Sequence, residues 1–214
     1  MCSSDLPTFE ETLLVSPSRL GAETLAAAVR TTADAARALG LAAGPVHAEL
    51  RIGDRGPAML ELAPRSIGGL CSRALRFSGG ASLEEIMLAN ALGRPTWPAR
   101  IGSPIRPARI GSPTRPARTG SATRSAPADP VRPCGVFMLP VPRAGILRAV
   151  EGRAGALAVP GITGLTITIP LGQRVLPLPD GDRYLGFIFA GGDTGPEVEH
   201  ALTAASERLR VVID

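Results

Sequence analysis

The sequence predicts an α+β protein whose two folded stretches are joined by a disordered linker. Three observations carry this. Residues 7–93 mix short apolar runs with two helical patterns. Residues 94–131 contain a nine-residue unit of Pro, Arg, Gly and Ser in three near-copies. Residues 132–214 hold several strand-like runs followed by a single helical tail, the pattern of a small α+β domain.

In the first stretch, Pro7 to Val15 reads as a strand, with Leu13, Leu14 and Val15 as its apolar end. Ser18 is placed as an N-cap for the helix that follows. From Gly21 to Gly40, apolar residues recur at Leu25, Ala28, Val29, Ala33, Ala36 and Leu39, a helical period. Val46–Ile52 alternates, and Ala58–Ala63 follows after the break Gly53-Asp54-Arg55-Gly56-Pro57, so the two form a hairpin around a five-residue loop. Ser82, with Glu85 three residues on, starts a second helix that runs to Leu92 and stops at Gly93.

The repeat units cover Pro98–Arg106, Pro107–Arg115 and Pro116–Arg124. Each is too short and too rich in Pro, Gly and Ser to bury a face, which predicts an extended, solvated linker. An Arg-rich strip for RNA or acidic lipid is the alternative, but the repeats carry no aromatic residue on which a base could stack. In the third stretch, Val136–Leu139, Gly145–Val150, Gly164–Ile169 and Tyr184–Ala190 read as strands. Thr194–Leu209 reads as a helix capped by Thr194, and Val211–Ile213 as a closing edge strand.

Composition narrows the chemistry. The chain is 44% hydrophobic, 20% charged and 3% aromatic, so its core must come from Leu, Val, Ile and Ala. No apolar run approaches the roughly 18 residues a membrane helix needs, and no signal-peptide pattern opens the chain. Cys2, Cys71 and Cys134 are three with no CxxC spacing, as in free thiols of a reducing cytoplasm. All 23 basic residues are Arg. Schiff-base chemistry and a lysine phosphate clamp are therefore excluded within this chain, and the net charge of +4 is no nucleic-acid signature by itself.

The hairpin concentrates the chemistry. His47, Glu49 and Arg51 share one face of its first strand, while Met59, Glu61, Ala63 and Arg65 share a face of the second. If Ile52 pairs with Ala58, Glu49 lies opposite Glu61. Facing carboxylates repel unless a cation sits between them. Magnesium suits such a site, because it takes one or two carboxylates and completes its shell with water and phosphate oxygens. Arg65 points the same way and could hold a phosphate. A solvated polar face is the alternative. His47 is a candidate for the acceptor or phosphate pocket, and Arg73 and Arg76 for recognition of a substrate carboxylate. His200 reads as a surface or packing residue, and Cys71 has no neighbouring His to activate it.

Glu49, followed twelve residues later by Glu61-Leu62-Ala63-Pro64-Arg65, resembles the metal-binding signature of the ATP-grasp superfamily of ligases. Pro142-Arg143-Ala144-Gly145-Ile146-Leu147 and Val159-Pro160-Gly161-Ile162 resemble the domain that follows ATP-grasp in L-amino-acid ligases and biotin carboxylase. The resemblance implies that residues 7–93 are the C-terminal half of an ATP-grasp domain, 94–131 a linker, and 132–214 the associated C-terminal domain. It implies an ATP- and magnesium- (or manganese-) dependent carboxylate–amine ligase working through an acyl phosphate. Glu49 and Glu61 would be its metal ligands, and Arg65 its catalytic phosphate contact. The expected partners are ATP and small carboxylate and amine substrates, in the cytoplasm. Neither membrane nor nucleic acid is expected, and a homodimer is allowed. Ala63 stands where the family has Asn, which removes one metal ligand. Residues 2–6 also correspond to the translation of a common sequencing-adapter end, so Met1 is not expected to be the natural start and the chain is expected to be partial and inactive alone. The other readings are a non-catalytic or regulatory domain and an Arg-repeat module for acidic partners.

Overall fold

The computed structural model describes residues 2–5, 10–75, 77, 81–94 and 132–214. The repeat linker, Trp97 and Arg76 lie outside the described residues. Ten strands and four α-helices follow in chain order among those described: β1 (Cys2–Asp5), β2 (Glu10–Ser16), α1 (Ala22–Ala38), β3 (His47–Gly53), β4 (Gly56–Ala63), α2 (Leu83–Ala91), β5 (Cys134–Leu139), β6 (Gly145–Glu151), α3 (Arg153–Leu157), β7 (Ile162–Ile167), β8 (Arg174–Val175), β9 (Gly186–Gly191), α4 (Gly195–Ser206) and β10 (Arg210–Ile213). A short 3₁₀ turn spans Cys71–Ala74.

The main sheet has the order β1-β2-β5-β9-β7 and is antiparallel throughout. Its two central strands read Cys-Gly-Val-Phe-Met-Leu and Gly-Phe-Ile-Phe-Ala-Gly. Neither alternates polar with apolar residues, as expected of strands covered on both faces. Leu139, Ile188 and Ala190 join Val198, Leu202 and Ala205 of α4 in one core. Cys134, Val136, Met138, Phe187 and Phe189 point the other way and pack with Cys71 and Ala74 of the 3₁₀ turn. The period-2 geometry of a strand thus divides the apolar residues between two cores. One core is closed by the C-terminal helix, the other by the segment that follows the hairpin.

Strand β2 pairs with β5, so a strand from the first stretch is built into the sheet of the third. β6 sits between β10 and β8 in a separate three-stranded sheet. Helix α4 opens on a capping box in which the Thr194 hydroxyl accepts from Glu197 N–H and the Glu197 carboxylate accepts from Thr194 N–H. Ser82 and Glu85 form the same arrangement at α2.

Several expectations need correction. Helix α1 begins after Gly21, which makes no side-chain cap, so Ser18 is not the N-cap; its hydroxyl accepts from Leu20 N–H instead. The helical period of α1 holds, with Val29 67% exposed on a helix that rests on β4. The hairpin turns over Asp54-Arg55 between the paired Gly53 and Gly56, not over five residues. Gly56 has φ +93°, the left-handed residue that closes a turn of this length. Arg51 therefore faces Ala58 and Ile52 faces Pro57. Met59 pairs with Leu50 and leaves the face of Glu61. β1, the 3₁₀ turn, α3 and β8 were not anticipated.

Candidate functional site

The hairpin register contains an irregularity. Leu50 pairs with Met59 but Glu49 with Glu61, so Leu60 is an extra residue opposite Glu49. A bulge of this kind re-aims the side chains around it. Here it offsets the shorter turn and brings the two glutamates opposite each other. Leu60 itself is 63% exposed.

Each carboxylate has its own basic neighbour. His47 Nε2 lies 3.1 Å from Glu49 Oε1, two residues apart on one strand face. Arg65 donates through Nη2 to Glu61 Oε1 at 3.3 Å. The chain reaches that geometry through Pro64: Arg65 N–H bonds to Ala63 C=O at 2.8 Å, a three-residue turn centred on the proline. This turn ends β4 and folds Arg65 back toward Glu61. Arg65 Nη1 also donates to Ser66 C=O.

Beyond Arg65 the chain passes under the main sheet. Gly69 has φ +60°, and a Cβ there would lie 2.8 Å from Phe187 Cζ, so the glycine lets backbone and ring meet closely. Cys71 follows, 3% exposed, with its thiol 3.7 Å from Met138 Sδ. Burial pushes this thiol up to about 11, with a smaller push from the charge of Glu11. It is a packing thiol in its neutral form.

A cavity of about 620 Å³ opens between the hairpin and the main sheet. His47, Glu49 and Arg65 line one side, Leu70, Met138 and Phe187 give it an apolar floor, and Asp182, Arg183 and Tyr184 line it from the β8–β9 loop. Arg183 donates to both Asp182 oxygens, at 2.8 and 3.0 Å. That bond and the Arg183 charge hold the Asp182 carboxyl below its usual range, and the pair holds the Arg183 guanidinium above its own.

Of the residues chosen from sequence, His47, Glu49 and Arg65 meet in this cavity, and Glu61 adjoins them through Arg65. Arg73 is exposed in the 3₁₀ turn and is not among the lining residues. Glu11, Thr168, Asp182, Arg183 and Tyr184 come from segments that sequence spacing did not connect to the hairpin; only the fold brings them there.

The chemistry of the donor set fits magnesium. Glu49 and Glu61 are hard oxygen donors paired across the hairpin, and this ion needs no more than one or two carboxylates. Among the described residues no group of three or more His, Cys, Asp or Glu is placed to hold a metal.

The fold that carries this carboxylate hairpin and its flanking antiparallel sheet is of the ATP-grasp type. Residues 2–74 match the model of the ATP-grasp domain, and residues 137–214 match that of L-amino acid ligase C-terminal domain 2. The two matches lie in that order along the chain. The L-amino acid ligase of Bacillus licheniformis superposes with a TM-score of 0.71 at 25% identity, over 97% of this chain and 45% of that one. Phosphoribosylglycinamide synthetase of Anaerococcus prevotii gives 0.70 at 11% identity, over 100% and 48%. The biotin carboxylase domain dimer of Hydrogenobacter thermophilus 2-oxoglutarate carboxylase, in complex with MgADP, ADP and bicarbonate, gives 0.57 at 12% identity, over 95% and 40%. The chain thus spans less than half the length of each. No curated protein matches it. Among the described residues, no helix is long and apolar enough to cross a membrane.

Proposed function

We propose that this chain supplies the metal-holding side of the active site of an ATP- and magnesium-dependent carboxylate–amine ligase. The observation that carries the reading is the Glu49–Glu61 pair across the hairpin with Arg65 bonded to Glu61, in a segment of ATP-grasp sequence. Such a ligase makes an acyl phosphate from a carboxylate and ATP, and an amine then displaces phosphate. Glu49 and Glu61 would hold magnesium, or manganese in its place, which when bound neutralises phosphate charge. Arg65 would leave Glu61 for the transferring phosphoryl group, where a guanidinium stabilises developing negative charge. His47 would orient Glu49 through their 3.1 Å contact. Ala63, lacking an oxygen where the family has Asn, weakens the metal site. The reading keeps residues 7–93 as ATP-grasp sequence, 94–131 as a linker, and 132–214 as the associated domain, with cytoplasmic activity and a homodimer as its setting.

The 214-residue chain is expected to show no ligase turnover by itself. Phosphoryl transfer depends on positioning and charge neutralisation from both sides of the nucleotide. The chain contains no lysine, and the hairpin offers carboxylates to a polyanion. Calorimetry should find Mg-ATP binding no tighter than about 1 mM. Fusion to a lysine-bearing ATP-grasp segment of a relative should restore binding and turnover, and Glu61→Gln in the fusion should abolish turnover with little change in folding. Micromolar Mg-ATP binding by the chain alone, or full turnover in the Glu61→Gln fusion, refutes the assignment.

A further inference from the structure

Two guanidinium groups line the cavity, and they do so from different parts of the chain. Arg65 stands at the hairpin, beside the two carboxylates. Arg183 enters from the β8–β9 loop of the C-terminal domain. Between the two segments the lining includes an apolar floor of Leu70, Met138 and Phe187. A ligand suited to such a lining carries one anionic group able to compete for a guanidinium, and an apolar body.

The loop that presents Arg183 is fixed by backbone bonds on both sides. Gly181 N–H bonds to Pro177 C=O at 2.8 Å, where the turn is too tight for a Cβ at Gly181. After Arg183, the Thr168 hydroxyl donates to Tyr184 C=O at 3.1 Å and Leu185 C=O at 3.2 Å, and Leu185 N–H is tied to Leu139 C=O. The Tyr184 ring sits edge-on to Phe187, with centroids 6.2 Å apart. The base of the arginine is therefore positioned while its head stays exposed.

The partner of that head is its own chain neighbour. Asp182 fills both arms of the guanidinium fork, and the side chains are 78% and 59% exposed for Asp182 and Arg183. An ion pair this exposed contributes little, because water solvates both partners almost as well. A ligand carboxylate can replace Asp182 in the same bidentate geometry at small cost.

We infer that Arg183 anchors the carboxylate of the amine substrate, an α-amino acid with an apolar side chain, and that Asp182 holds the fork until that carboxylate displaces it. The inference rests on the ligase reading for the word substrate, although the binding it predicts needs no nucleotide. It assigns carboxylate recognition to the C-terminal domain rather than to Arg73, which is not among the residues lining the cavity. Leu70, Met138, Phe187 and Tyr184 would receive the side chain.

The test compares L-phenylalanine with L-phenylalaninamide, which differ in the carboxylate, by calorimetry or amide chemical shifts on the whole chain without ATP. The acid should bind roughly tenfold more tightly than the amide. Arg183→Gln should bring that ratio to about one while leaving amide affinity unchanged, and Arg183→Lys should retain part of it. Asp182→Asn should raise acid affinity and leave the amide unaffected. Arg73→Gln should preserve the ratio; the nucleotide reading is tested separately, by turnover of Glu61→Gln in the fusion. A preference for the acid that survives in Arg183→Gln overturns the inference, as does absence of phenylalanine binding at tens of millimolar. A ratio that disappears only because Arg183→Gln unfolds is recognised by loss of amide binding, and Arg183→Lys then decides.

Discussion

Gly135 is the point at which the hairpin-bearing stretch is locked to the C-terminal helix, and its substitution by Ala should expose that dependence. Gly135 lies in β5, paired with Val15 of β2, and faces α4. A Cβ there would stand 2.8 Å from Leu14 C=O, 2.8 Å from Val198 Cγ1 and 2.9 Å from Leu202 Cδ1. Three contacts below 3.0 Å outweigh the few tenths to 1 kcal/mol that Gly→Ala gains by restricting the unfolded chain. Overpacking of this kind costs about 1–3 kcal/mol. Leu202 is fully buried, so Leu202→Ala alone should cost about 2–5 kcal/mol. The two losses should not add. Removing the Leu202 side chain frees the space into which the new methyl projects, while the Leu14 carbonyl remains in the way. The double variant should therefore be more stable than the sum predicts by about 0.5–1.5 kcal/mol. Urea unfolding of the four proteins at equal m-value measures this directly. Additivity within about 0.5 kcal/mol, or a Gly135→Ala protein as stable as the parent, would falsify the claim that Gly135 is kept bare by α4.

Two further perturbations probe the cavity floor. Gly69→Ala combines a left-handed φ with a methyl 2.8 Å from Phe187 Cζ, and should lower stability by about 1–3 kcal/mol while shifting the Phe187 ring resonances; unchanged ring shifts would show that backbone and ring do not meet. The Cys71 thiol should resist iodoacetamide at pH 8 until the protein unfolds, because its folded value of about 11 exceeds the ordinary 9.0. The sign follows from which state ionises first: the unfolded thiol loses its proton near pH 9 and the folded one near pH 11. Stability from this group is present below pH 9 and lost as pH rises toward 11, by on the order of 2 kcal/mol. Cys71→Ser should flatten that alkaline decline, and an unchanged decline would assign it elsewhere.

The parts of the fold that were legible in sequence are those with a local cause. Thr194 with Glu197, and Ser82 with Glu85, set helix starts through bonds that span three residues. The antiparallel pairing of Glu49 with Glu61 was legible as well, although for a partly wrong reason. The turn is shorter than the Gly-rich break suggested, and the bulge at Leu60 offsets the difference. Nothing in an exposed Leu marks a bulge, because its cause is the register of the partner strand. The apolar period of α1 gave the helix but not its buried face: Val29 belongs to the period and is exposed, whereas Ala28 and Ala36 are half-buried. The union of β2 with β5 was not legible at all. Their sequences lie over a hundred residues apart, and strand pairing at that distance leaves no local pattern. The same holds for Arg183, which reaches the hairpin's cavity only because β9 and the 3₁₀ turn pack on one another through Phe187, Cys71 and Ala74.

Charge in the cavity gives the proposed assignments their internal logic. Among the described residues, Glu11, Glu49 and Asp182 line it against Arg65 and Arg183, three carboxylates facing two guanidinium groups. Glu61, bonded to Arg65, tips the hairpin side further toward negative charge. A polyphosphate brought to this lining alone meets net repulsion, and divalent cations would reverse that sign. An α-amino acid brought to the Arg183 side adds no net charge, because its ammonium accompanies the carboxylate that competes with Asp182 for the fork. The two sides therefore respond differently to an added ligand. Magnesium should govern binding at the hairpin, while at the loop the identity of residue 182 should govern it.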